Sequence, residues 1–92
     1  KMIEWIGGTI YIKDKERKQT VWVYKNYYLT IRLNENHPDY KNCVILSCDQ
    51  VGIKNYILTN NTNYDIEVLQ ARAITFVLNK LETYKLSITN EI

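Results

Sequence analysis

Imidazole, carboxylate and thiol groups gather in one part of this chain, at His37, Asp39, Cys43 and Cys48. Together such groups can ligate a metal, and a histidine beside a cysteine can activate it as a nucleophile. Neither chemistry is expected here. His37 is the only histidine, and the cysteines bracket the apolar run Cys43-Val44-Ile45-Leu46-Ser47-Cys48, which reads as a strand. A strand of that length separates their Cα atoms by about 16 Å and sends the two side chains to opposite faces. They cannot pair with each other, because a disulfide needs Cα atoms within about 7 Å. Structural zinc sites set close cysteine pairs on loops or knuckles, not along strands. A thiol nucleophile also needs an oxyanion hole, and no such loop is recognisable. Buried, inert thiols are the expectation.

The carboxylates form no acid–base pair. Asp65 and Glu67 are two residues apart and do not share a helix face, while solvation and capping account for Glu35, Asp39 and Asp49. Gly7-Gly8 lacks the following helix that a phosphate-cradling loop requires. The reading is a non-enzymatic protein with no metal and no cofactor.

Contact chemistry is better represented. Eight tyrosines and two tryptophans stand against one phenylalanine. Aromatics with a polar tip suit partly wet interfaces, although AT-rich coding, which favours Tyr, Asn, Ile and Lys, explains the same bias. The expected partner-binding residues are Tyr11, Val21, Val23, Tyr28 and Arg32 on the outward face of a sheet, with His37 and Tyr40 in a loop. A protein partner fits them best, since Tyr and Arg are enriched at interface hot spots. A second copy of the chain is one candidate. The alternative is a single-stranded nucleic acid, stacked on Tyr11 and Tyr28 and flanked by Arg32, Lys13, Lys15, Arg17, Lys18 and Lys25. Asp14 and Glu16 interrupt that basic run, and a net charge of +2 is a weak electrostatic footprint. Small size, AT-rich coding and the missing catalytic groups suit a phage- or mobile-element-encoded inhibitor of a host enzyme such as a nuclease, an anti-defence protein.

No stretch approaches the ~18–20 apolar residues that span a bilayer. Lys1-Met2 reads as a vector residue before an initiator Met, with no signal peptide removed. With the unpaired cysteines, this gives a cytoplasmic expectation; the glycosylation-like triplet Asn60-Asn61-Thr62 is too short to oppose it.

The elements that must position these residues follow from a change of period. Up to Thr59 the apolar residues alternate or gather in short runs; after Asn60-Asn61-Thr62-Asn63 they recur every three or four positions through Leu86. The expected fold is α+β, one domain over residues 1–92. An antiparallel meander of about five to six strands within 3–59 packs on, or wraps around, one long C-terminal helix at about 63–86. A short tail, Ser87–Ile92, follows. Gly7-Gly8 is expected to turn a hairpin between Ile3–Ile6 and Thr9–Ile12, and Lys25-Asn26 a second one that sets Trp22 opposite Leu29. Residues 13–18 read as a charged loop and Gly52 as a left-handed turn position. Thr62 or Asn63 is the expected helix cap. Ile66, Leu69, Ala73, Phe76, Val77 and Tyr84 form the helix's main stripe, and Ala71, Ile74, Leu78 and Leu81 a second. So wide an apolar arc calls for a sheet curled around the helix, or for a second chain. A closed barrel, with Ile53–Leu58 folded over the outward face, is the competing arrangement.

Overall fold

The structure, a computed structural model, describes the backbone of residues 4–11 and 18–92 and the side chains of 4–8 and 18–92. Among the described residues five strands, β1 (Ile6–Tyr11), β2 (Lys18–Lys25), β3 (Thr30–Glu35), β4 (Val44–Cys48) and β5 (Ile53–Thr59), form one antiparallel sheet in the order β1-β2-β3-β4-β5. One helix, α1 (Ile66–Thr89), lies on one face of it. This is the α+β meander that the period change predicts.

The alternation along each strand decides which side meets the helix. Trp22, Leu33, Leu46 and Tyr56 are cross-strand partners in one row, and Tyr24 pairs with Ile31 in the next. With Val44, Cys48, Val51 and Ile53 this face closes on Leu69, Ala73 and Val77 of α1. Each fully buried aliphatic side chain in such a cluster contributes about 1.5–3 kcal/mol. β4 is the central element: all five of its residues are buried, Ile45 and Ser47 on the side away from the helix. The Ser47 hydroxyl is satisfied there, accepting from the Asn55 backbone N–H at 3.1 Å. Asn55 itself sits at φ +49° beside a bulge between β4 and β5, a conformation that asparagine tolerates better than most residues.

Several expectations are corrected. Gly7 and Gly8 do not turn the chain; they lie inside β1, opposite Trp22 and Val21. The reason is steric. A Cβ at Gly7 would stand 2.4 Å from Cζ3 of Trp22, whereas one at Gly8 would meet nothing within 4 Å. Gly7 is thus the gap into which the indole fits. The β2–β3 turn is Asn26–Leu29, not Lys25-Asn26, closed by the Asn26 N–H on the Leu29 carbonyl at 3.0 Å. Trp22 consequently faces Leu33 instead of Leu29, a shift of four residues that preserves every residue's face. Gly52 is left-handed as expected, at φ +73°, ending a 3-10 turn at Asp49–Val51.

The helix begins later and ends later than its pattern predicts. Asp65 is the cap, its carboxylate accepting from the Glu67 N–H at 2.9 Å, in place of Thr62 or Asn63. The segment read as a tail is helical to Thr89. No barrel closes over the outward face, since β5 pairs edgewise with β4. Nor does the sheet wrap the helix: only Leu69, Ala73 and Val77 are buried, and from Leu81 onward every residue is exposed. The protein is elongated, 54 × 29 × 24 Å. The expected loop over residues 13–17, together with Ile3 and Ile12, lies outside the described residues.

Candidate binding surfaces

Several surfaces among the described residues could meet a ligand or partner. The first is the tip of the β2–β3 hairpin. Asn26 organises it: its Oδ1 accepts from the backbone N–H groups of Tyr28 and Leu29, both at 2.8 Å. The Thr30 N–H is held in turn by Oε1 of Gln50 at 3.1 Å. Leu29 packs toward the core, which leaves the two residues before it pointing outward. Tyr27 is 92% and Tyr28 78% exposed, their rings edge to face with centroids 4.9 Å apart. Tyr28 was expected to bind from a strand; it does stand at the surface, but on a turn, beside a tyrosine that the sequence did not single out.

The outward sheet face is the second surface. Ile6, Val23, Arg32 and Ser47 share one cross-strand row, and Val21, Asn34, Ile45 and Ile57 the next. The structure therefore groups Val21, Val23 and Arg32 as expected, with Ile6 and Ile57 adding exposed apolar area. The Arg32 guanidinium lies 3.9 Å from the Asp49 carboxylate, an exposed pair too weak to immobilise either group. Tyr11 opposes Lys18 at the end of β1, in the register parity of Gly7 and Trp22 and not in that of Val21, Val23 and Arg32, where it was expected; its side chain is outside the described residues. His37 and Tyr40 pack on each other in the β3–β4 loop with centroids 5.2 Å apart. His37 is half-buried, its Nδ1 accepting from the Asp39 N–H at 3.1 Å.

The third surface is a cleft of about 600 Å³ between the sheet and the first half of α1. Trp5 and Trp22 form one wall; Ile66, Gln70, Ala71 and Ile74 form the other, with Glu67 also lining it. Its size falls in the range of small-molecule sites, and an apolar side chain from a partner fits it equally well. Behind Trp22 lies Glu35, whose two oxygens are divided between donors of this chain. Oε2 accepts from the Trp22 indole N–H at 2.7 Å, and Oε1 from the Tyr64 hydroxyl. Burial, reinforced by the Glu35 carboxylate, pushes the Tyr64 hydroxyl well above the ordinary tyrosine range. With both oxygens engaged, Glu35 acts as a clamp between β2, β3 and the segment entering α1. Sequence reasoning missed this surface, since it depends on a loop tyrosine, a strand glutamate and two distant tryptophans meeting in space.

The cysteines are both free. Cys48 is in the helix-facing core, its thiol pushed up by burial and donating weakly to Oε1 of Gln50. Among the described residues, no three His, Cys, Asp or Glu side chains gather where they could hold a metal ion, and no helix is long and apolar enough to cross a membrane. Comparison of the chain with protein-family models, with curated proteins and with solved structures found no match.

Proposed function

We propose that this small α+β domain is a non-enzymatic protein-binding module that acts by surface contact in the cytoplasm, using the β2–β3 tip and the adjoining outward sheet face. The observation that carries this reading is the Tyr27–Tyr28 pair, two nearly bare aromatic rings on a turn whose backbone is already hydrogen-bonded. Rigid aromatic anchors lose little entropy on docking and supply most of the energy at interface centres. Val23 and Arg32 extend the contact from the neighbouring strands. The finer reading is an inhibitor, encoded by a phage or mobile element, that occludes a host enzyme such as a nuclease. Its support is the small size and AT-rich coding of the chain, together with an anchor geometry that needs no reactive group. Free thiols support the cytoplasmic location.

The test is capture from a host lysate on the immobilised full chain, with bound proteins identified by mass spectrometry. The captured partner is then titrated against Tyr27→Ala/Tyr28→Ala and Arg32→Glu variants of unchanged melting temperature. Truncating two hot-spot aromatics should weaken binding by roughly 100-fold or more. Equal affinity for the tyrosine variant would remove the tip from the interface and this reading with it. A labelled thymidine 20-mer, titrated at 50 and 200 mM salt, tests the nucleic-acid alternative. Binding that weakens steeply with salt would favour that reading instead.

A further inference from the structure

The exposed flank of α1 carries a second pattern, distinct from the core stripe. Glu67, Ala71, Ile74, Leu78, Leu81, Lys85 and Ile88 are spaced 4, 3, 4, 3, 4 and 3 residues apart, the heptad spacing of a coiled-coil seam. The core stripe of Leu69, Ala73 and Val77 faces the sheet, and this seam lies to one side of it, with Ile74 partly packed on the core and Ala71, Leu78 and Leu81 exposed. Leu78 is 58%, Leu81 38% and Ile88 63% exposed. Glu67 and Lys85, at opposite ends of the run, are exposed as well.

The geometry points to pairing of α1 with α1 of a second copy of this chain, antiparallel and two-fold symmetric, with Lys85 of each copy against the partner's Glu67. The register follows from the charges. In an antiparallel seam the alternating positions meet in layers. Aligning Lys85 with the partner's Glu67 sets Leu81 against the partner's Ala71 and Leu78 against the partner's Ile74. Every layer between the two ion pairs is then apolar. A parallel pair would instead set glutamate on glutamate and lysine on lysine at the two ends. The antiparallel arrangement also fills two features of the monomer with each other. The exposed second half of α1 in one copy runs beside the first half of α1 in the other. Leu81 then comes to rest on Ala71, at the wall of the Trp5–Trp22 cleft.

Pairing from Glu67 to Lys85 extends about 27 Å along each helix. It buries on the order of 600 Å² per copy, at the lower end of specific interfaces. The dimer is independent of the β2–β3 tip and does not rest on the proposed function.

Sedimentation velocity of the full chain, from about 1 to 300 μM, tests the inference. A reversible dimer is expected. Leu78→Glu, outward-facing and therefore compatible with folding, should raise its dissociation constant by roughly 100-fold, because two copies of the charge enter the seam. Lys85→Glu and Glu67→Lys should each weaken it by roughly tenfold. Combined in one chain, the two reversals should restore it to within about twofold, with circular dichroism reporting intact helix throughout. A chain monomeric at every concentration would overturn the inference. So would a dimer indifferent to Leu78→Glu, or one that the double reversal fails to rescue.

Discussion

Gly7→Ala is a sharp test of how the sheet is built, because its neighbour supplies the control. An added Cβ would lie 2.4, 2.6 and 2.9 Å from Cζ3, Cε3 and Cη2 of Trp22. The indole is rigid and cannot yield at one atom. It must rotate as a whole, and its N–H is held at 2.7 Å by Glu35. Overpacking of this kind costs about 1–3 kcal/mol. Loss of a hydrogen bond to a charged group adds about 1.5–3 kcal/mol if the indole swings away. Against this, replacing glycine restricts the unfolded chain and returns about 0.4–1 kcal/mol. β1 is an edge strand and can give slightly, so a net loss of about 2 kcal/mol is expected. For a domain of this size that lowers the melting temperature by roughly 8–16 °C. Gly8→Ala meets open space and should be neutral or slightly stabilising. Thermal unfolding followed by circular dichroism reads both variants, and Trp22→Ala in the Gly7→Ala background should cancel most of the coupling. Equal melting temperatures for Gly7→Ala and the parent chain would refute the close approach, and with it the reason these glycines are in a strand.

Three further outcomes follow from the same contacts. Tyr64 stays protonated in the folded chain well past the ordinary tyrosine range near 10; above about pH 10 the unfolded state therefore holds fewer protons and stability falls with rising pH. Denaturant melts from pH 8 to 11 should show that decline in the parent and a shallower one in Tyr64→Phe. Asp65→Ala removes the cap on the Glu67 N–H and should cost about 1 kcal/mol, whereas Asp65→Ser should keep most of it, read from urea midpoints. Cys43, half-buried, should react with an aromatic disulfide reagent well before Cys48, whose buried thiol is pushed up; equal rates would contradict the core placement of Cys48.

What the sequence disclosed, and what it hid, divides along a physical line. Face assignment survived in β2 and β3 because an even shift of register preserves it, whereas in β1 the missing turn moves Tyr11 to the rows of Trp22. Trp22, Ile31 and Leu33 keep the helix-facing side although the β2–β3 pairing is four residues from the expected one. Turn identity did not survive, because glycine has two uses. Gly7-Gly8 resembles a hairpin turn by its conformational freedom, but Gly7 serves by its missing Cβ, and only the position of Trp22 reveals that. Asn26 closes the aromatic tip, in keeping with its expected turn role, whereas the left-handed positions of Asn36, Asn42 and Asn55 carry no separate signal against the asparagine-rich background. Tyr27 escaped notice because a two-residue turn at Lys25-Asn26 would have placed it in a strand. Among the expected site residues, Val21, Val23 and Arg32 were legible as one face for the same reason of parity.

The helix shows how one apolar arc can carry two duties. Summed along the sequence, Ile66 to Ile88 looks like a single broad hydrophobic surface that demands deep burial. In the fold, four-residue steps through Leu69, Ala73 and Val77 hold one edge of that arc against the sheet. Tyr84 fastens the same edge further along, its hydroxyl donating to the Val51 carbonyl at 2.7 Å. The other edge follows the alternating three-and-four spacing of Ala71, Ile74, Leu78, Leu81 and Ile88, and the sheet leaves most of it uncovered. Leu69, Ala73 and Val77, with Ile66, Ile74 and Phe76 packed against the same cluster, are the part of this 24-residue helix that the core holds. The length beyond Tyr84 adds nothing to that core. A helix extended past its support, with leucine and isoleucine repeating at heptad spacing, is the feature on which the inferred antiparallel pairing rests.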